Sequence, residues 1–184
     1  MARAESTRRV FLIGFMGAGK TTVGRALARR LGWSFRDLDE VVEEREGKSV
    51  AAIFSEDGEA GFRRVESAAL QELLHENAAA GNLVVALGGG AFVQASNRSA
   101  LQRVGILTVL LEAPLEVLRR RCATDGKTRP LSVDETRFAQ LFTERRAAYE
   151  LAHVRVDTTD KPVERVAAEI EHMLAAAAKL EVKE

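Results

Sequence analysis

The residues with the clearest chemistry are Gly14-Phe15-Met16-Gly17-Ala18-Gly19-Lys20-Thr21, a glycine, four residues, then Gly-Lys-Thr. An apolar run, Val10 to Ile13, precedes them, and Val23, Leu27 and Leu31 follow at helical spacing. Strand, glycine-rich loop and helix in that order form a phosphate cradle: the glycines let the backbone turn several N–H groups toward one anion, and the helix adds its positive end. Lys20 then reaches the β and γ phosphates as a point charge, and the Thr21 hydroxyl is placed to ligate magnesium. The expected nucleotide contacts are Gly17, Ala18, Gly19, Lys20, Thr21 and Thr22.

Asp37 and Asp39 stand where a second, short strand ends, on the carboxyl edge at which open α/β sheets bind ligands. One carboxylate can help hold magnesium while the other takes a proton from an attacking hydroxyl; the competing reading makes Asp39 a helix cap. Gly88, Gly89 and Gly90 close a third strand and are expected to let backbone N–H groups approach a ligand. Arg63 and Arg145 offer planar forks to a carboxylate or phosphate, although taken singly each reads as solvated surface, and Arg129 beside Pro130 has the same standing until something places it near the γ-phosphate.

These groups need a scaffold. Val10–Ile13, Ser34–Arg36, Leu83–Leu87, Ile106–Leu111 and Val154–Val156 read as five strands separated by helical patterns. Runs such as Leu83 to Leu87 do not alternate, which predicts strands buried on both faces of a parallel sheet. Between the second and third strands the chain is longer than one crossover helix requires. Helical spacing in Asp39–Glu46, Val50–Phe54 and Phe62–Leu74, with breaks at Gly47 and Asp57-Gly58, predicts a helical insertion over about 39–76. Pro114 opens a helix, the polar stretch 124–130 reads either as a loop able to close over a nucleotide, within a lid of about 122–134, or as an ordinary surface connection, and helices at Glu135–Tyr149 and Val163–Leu174 follow.

The 184 residues suit one domain, 1–184. Lys+Arg and Asp+Glu both number 27, and the basic residues are scattered, so nucleic acid is not an expected partner. Cys122 is the only cysteine, which excludes an internal disulfide and fits a reducing compartment. With no signal-like segment and no apolar run near the ~20 residues of a membrane span, the cytoplasm is expected and a membrane is not.

In this order the motifs resemble those of the shikimate kinases over nearly the whole chain. The resemblance is carried by Gly14 to Lys20, Asp37-x-Asp39, Gly47-Lys48-Ser49, Ile53-Phe54, Gly58-Glu59 with Phe62-Arg63 and Glu66, Leu87 to Gly90, and Arg129-Pro130-Leu131. It implies a P-loop NTPase fold of the nucleoside monophosphate kinase type, α/β, with a five-stranded parallel sheet in the order 2-3-1-4-5. It implies transfer of the γ-phosphoryl of ATP to the 3-hydroxyl of shikimate with Mg2+; a monomer is expected. It further implies that Asp39 meets the ring hydroxyls, Arg63 and Arg145 the carboxylate, Gly88 to Gly90 the ring, Asp37 the magnesium and Arg129 the transferring phosphate, with Arg120 and Pro162 flanking adenine. The family's Arg-x-Pro-x-Tyr reads Arg145-Arg146-Ala147-Ala148-Tyr149 here, so Tyr149 sets the register and Arg146 competes with Arg145. A gluconate-type kinase shares the loop and size; a GTP-driven switch lacks its guanine-reading Asn-Lys-x-Asp.

Overall fold

A computed structural model describes residues 8–75, 81–124 and 135–181. Arg129 and most of the expected lid lie outside these residues. Five strands, β1 (Arg9–Ile13), β2 (Ser34–Asp37), β3 (Leu83–Ala86), β4 (Leu107–Glu112) and β5 (Val154–Asp157), form one sheet in the order β2-β3-β1-β4-β5. All neighbouring pairs are parallel, with Phe11 opposite Val85 on one side and Thr108 on the other. The expected order and direction hold, and strand ends differ from the sequence reading by one residue.

Burial explains the non-alternating runs. Every residue of β3, and all but the first of β1, is buried, whereas the edge strands β2 and β5 are partly exposed. In a parallel sheet each strand returns through a crossover helix, so both faces are covered. Helices α1 (Lys20–Leu31) and α7 (Val163–Glu181) pack on each other, and Leu27 and Ile170 are fully enclosed. Each such side chain contributes roughly 1.5–3 kcal/mol of burial.

Between β2 and β3 lie α2 (Leu38–Glu46) and α3 (Val50–His75), which pack together. Gly47 ends α2 in the left-handed conformation, and Gly58 breaks α3 with φ 66° and ψ −175°, so both expected breaks are present. After β3 come a 3-10 turn (Ala91–Val93) and α4 (Ala95–Arg103), elements the sequence reading did not resolve. The polar spacing of Gln94, Ser96, Asn97, Arg98 and Ser99 gave little apolar periodicity to read. The remaining helices are α5 (Leu115–Thr124) and α6 (Glu135–Tyr149).

Candidate active site

All five strands point their carboxyl ends at one rim, and the loop after β1 sits at its centre. Gly14 takes φ 147°, and a Cβ there would lie 2.4 Å from the carbonyl oxygen of Leu111, so the turn out of β1 accepts only glycine. Gly19 caps α1 without a side-chain hydrogen bond. No side chain of the cap competes for the first-turn amides of α1, the kind of donors that a phosphate takes at a helix N-terminus. Lys20 is buried, and its Nζ donates to the carbonyls of Gly14 at 2.9 Å and Phe15 at 3.1 Å, folding the ammonium back over its own loop.

Thr21 Oγ1 donates to Asp37 Oδ2 at 2.6 Å. The other oxygen, Oδ1, accepts the Asp39 N–H at 3.0 Å, so the cap of α2 is Asp37 and not Asp39. The chain geometry decides this: Asp37 is the last extended residue before the helix begins, and only the residue at that junction can reach the second helical amide. A hydroxyl and a carboxylate beside the phosphate loop are hard oxygen donors of the kind a small divalent cation takes when phosphate and water complete its shell. Among the described residues no group of three or more His, Cys, Asp or Glu is arranged to hold a metal ion.

The three glycines are small for an unexpected reason. A Cβ at Gly88 would meet Glu66 Oε1 at 2.6 Å and Asp39 Oδ1 at 2.8 Å, and one at Gly90 would lie 2.3 Å from the Arg63 guanidinium. Their missing side chains make room for charged groups of the protein itself. Glu66, which the sequence reading placed in a motif but gave no role, is central to that cluster. It has no exposed surface; its Oε2 accepts from Arg63 Nη1 at 2.8 Å, while Oε1 has no hydrogen-bond partner. Burial raises its pKa above the ordinary glutamate value against the opposing pull of Arg63. Burial alone would lower the Arg63 pKa, but Glu66 and Glu59 outweigh it and hold the guanidinium protonated. The signal available in sequence was spacing: Arg63 and Glu66 are three apart on one helix and so share a face.

Arg145 is brought to the same cluster. It is 6% exposed, and its Nη1 would sit 3.3 Å from a Cβ on Gly89. Arg146 points outward and pairs with Glu150 at 3.2 Å. Arg120 and Pro162 are exposed and do not line the cleft; their neighbours Arg121, Thr158 and Lys161 do, with Arg121 Nη2 donating to the Thr158 carbonyl at 2.7 Å. One residue along a helix turns a side chain by about 100°, which a loose alignment does not fix.

Two hollows result. One, about 390 Å³, runs from the phosphate loop to Arg121 and Lys161; the other, about 270 Å³, holds Arg63, Glu66, Arg145 and the stacked rings of Phe54 and Phe62. They share Thr21, Asp37, Asp39, Gly88 and Gly89. A larger hollow of about 450 Å³ lies between β4, α5 and α6, away from Lys20 and Asp37.

A phosphate loop at the head of β1, a 2-3-1-4-5 sheet and a second hollow meeting the first define a P-loop kinase acting on a small molecule. The shikimate kinase family model matches residues 16–175. The chain is 42% identical to the shikimate kinase of Salinibacter ruber, covering 92% of this chain and 86% of that protein. It is 44% identical to that of Geobacter sulfurreducens, covering 92% of both. The structure of Acinetobacter baumannii shikimate kinase in complex with shikimate superposes with a TM-score of 0.84 at 36% identity, covering 94% of this chain and 96% of that one. This chain belongs to the shikimate kinase family. A gluconokinase from Sinorhizobium meliloti shares the fold, with a TM-score of 0.60, at 20% identity. Among the described residues no helix is long and apolar enough to cross a membrane.

Proposed function

We propose that this chain transfers the γ-phosphoryl group of ATP to the 3-hydroxyl of shikimate, giving shikimate 3-phosphate and ADP. The observation that supports the reading is the wall common to the two hollows: Thr21, Asp37, Asp39, Gly88 and Gly89 line both, so a phosphate held in one would meet a hydroxyl held in the other.

The nucleotide hollow takes the phosphates on the amides of Gly17 to Thr22 and on Lys20, with the adenine toward Arg121 and Lys161. The acid hollow takes the carboxylate between Arg63 and Arg145 and the ring against the glycine turn, with Asp39 orienting the hydroxyl and accepting its proton. Thr21 and Asp37 would hold Mg2+, which would supply positive charge against the phosphates of the nucleotide. Arg129 lies outside the described residues, and the Arg129-Pro130-Leu131 motif is the ground for assigning it to the transferring phosphate. Positioning and charge compensation carry the reaction, and no covalent enzyme intermediate is needed. The helical insertion serves as the acid-holding part of a single domain, and the enzyme works as a cytoplasmic monomer without nucleic acid.

The test is coupled ADP release from ATP and Mg2+, with shikimate, with gluconate and with neither. Release that depends on shikimate is expected; equal release with gluconate, or release independent of either acid, overturns the reading.

A further inference from the structure

Tyr149 is the only tyrosine of the chain and lies at the end of α6, 5% exposed. Its hydroxyl donates to the Gly89 carbonyl, across from one element to another. One helical turn earlier, Arg145 stands beside that phenol: burial pushes the Tyr149 pKa up to about 12, and the Arg145 guanidinium is the foremost group pulling against it. Beneath lies Phe15, from the phosphate loop. Arg145 Cζ sits 5.8 Å from its ring centroid, and Phe15 meets Phe138 and Phe142 of α6 edge-on at 5.0 and 5.4 Å. Arg145 therefore has an aromatic floor, a phenol at its side and the glycine turn in front.

We propose that Tyr149 is a positioning residue for acid binding: by tying α6 to Gly89 it fixes the spacing between the Arg145 guanidinium and the glycine turn. The proposal rests on the reading of Arg145 as a carboxylate partner. An arginine side chain loses much rotamer freedom when it grips a ligand, and a side chain already braced in the free protein loses less on binding. The braces here are chemically distinct, the face of the Phe15 ring lying under the guanidinium and the hydroxyl of Tyr149 holding the turn that faces it. The bond also keeps the Gly89 carbonyl paired at a part-buried position between the two hollows.

The experiment uses Tyr149→Phe, which keeps the ring and removes the hydroxyl, together with Arg145→Ala and the double variant. Tyr149→Phe is expected to raise the KM for shikimate about five- to tenfold, the worth of one such hydrogen bond, with the KM for ATP unchanged. On the Arg145→Ala background the added loss should vanish, since the two act as a unit. A shikimate effect that persists undiminished there, or an equal effect on ATP, overturns the positioning role. If Arg145→Ala leaves the shikimate KM unaltered, the carboxylate reading fails and the proposal with it; if only Tyr149→Phe is silent, the proposal alone fails. Should Tyr149→Phe not fold, the wild-type protein labelled with 3-fluorotyrosine carries one fluorine resonance, at position 149. Shikimate should shift that resonance in the wild type and leave it in place in Arg145→Ala; no shift in the wild type overturns the proposal.

Discussion

Arg63 Nη1 donates to Glu66 Oε2 at 2.8 Å, and Glu66 has no exposed surface. The guanidinium is thus aimed by a carboxylate that titrates above the ordinary glutamate range because it is buried. As pH falls through that raised value Glu66 takes a proton and the pair loses its charge assistance, so the KM for shikimate should climb on the acid side. In Glu66→Gln the KM should already be raised about tenfold at neutral pH, and the glutamate limb should be missing, leaving only titration of the substrate's own carboxylate. Stability follows the opposite course. The folded state holds this proton more tightly than the unfolded chain, so the contribution of Glu66 is greatest below its unfolded value and falls as pH rises through the folded one. Kinetics and thermal melts across pH for both proteins check this; parallel profiles would refute it.

Lys20→Ala should lower turnover by about a hundredfold or more, the usual loss when a donor to transition-state charge is removed. In the free protein Nζ also pairs two loop carbonyls, so the melting temperature should fall slightly while the circular dichroism spectrum stays the same. Near-normal turnover would remove the lysine from the chemistry.

Asp37 caps α2, and the proposed function gives it Mg2+ as well; two variants separate the observed role from the proposed one. Asparagine remains a good helix cap but loses the charge, so Asp37→Asn should melt near the wild type while needing more Mg2+ for half-maximal activity. Asp37→Ala should in addition lose about 1 kcal/mol of stability with the cap. Magnesium titrations and melts decide it; the same magnesium requirement in Asp37→Asn and wild type would detach Asp37 from the metal.

Gly90→Ala puts a methyl where the Arg63 guanidinium lies, 2.3 Å from its atoms. The side chain must leave its seat. The KM for shikimate should rise at least tenfold with that for ATP little changed, and a crystal structure should show Arg63 displaced. Equal losses for both substrates would point to general collapse of the turn.

Much of this was legible in the sequence because it is local. Gly14 to Thr21 carries its strand, turn and helix within one contiguous stretch, and the glycine breaks at 47 and 58 declare themselves by residue type. The hidden part is tertiary. Arg145 and Arg146 are adjacent, identical in type and on one helix; only the positions of Phe15 and Gly89 select the inner one. Gly88 to Gly90 read as a ligand's approach, yet the space they leave is used by Glu66, Asp39, Arg63 and Arg145, which reach it from other elements. Arg120 and Arg121 differ by one step of helical phase, which motif matching does not fix.

The sheet order also governs how the molecule is assembled. β1, with the phosphate loop at its end, is the middle strand, and its two neighbours, β3 and β4, both come later in the chain. Each pairing closes a long loop, so the strand that leads the sequence waits longest for its partners. A nascent chain that has emerged only as far as α3 holds the whole Gly14–Thr21 stretch with both edges of β1 bare, a surface for chaperones or for other nascent chains. Because Arg145 and Tyr149 follow β4 as well, the hollow that holds Arg63, Glu66 and Arg145 is completed only when nearly the whole described chain has folded, and a nascent fragment that ends before α6 lacks one of its walls.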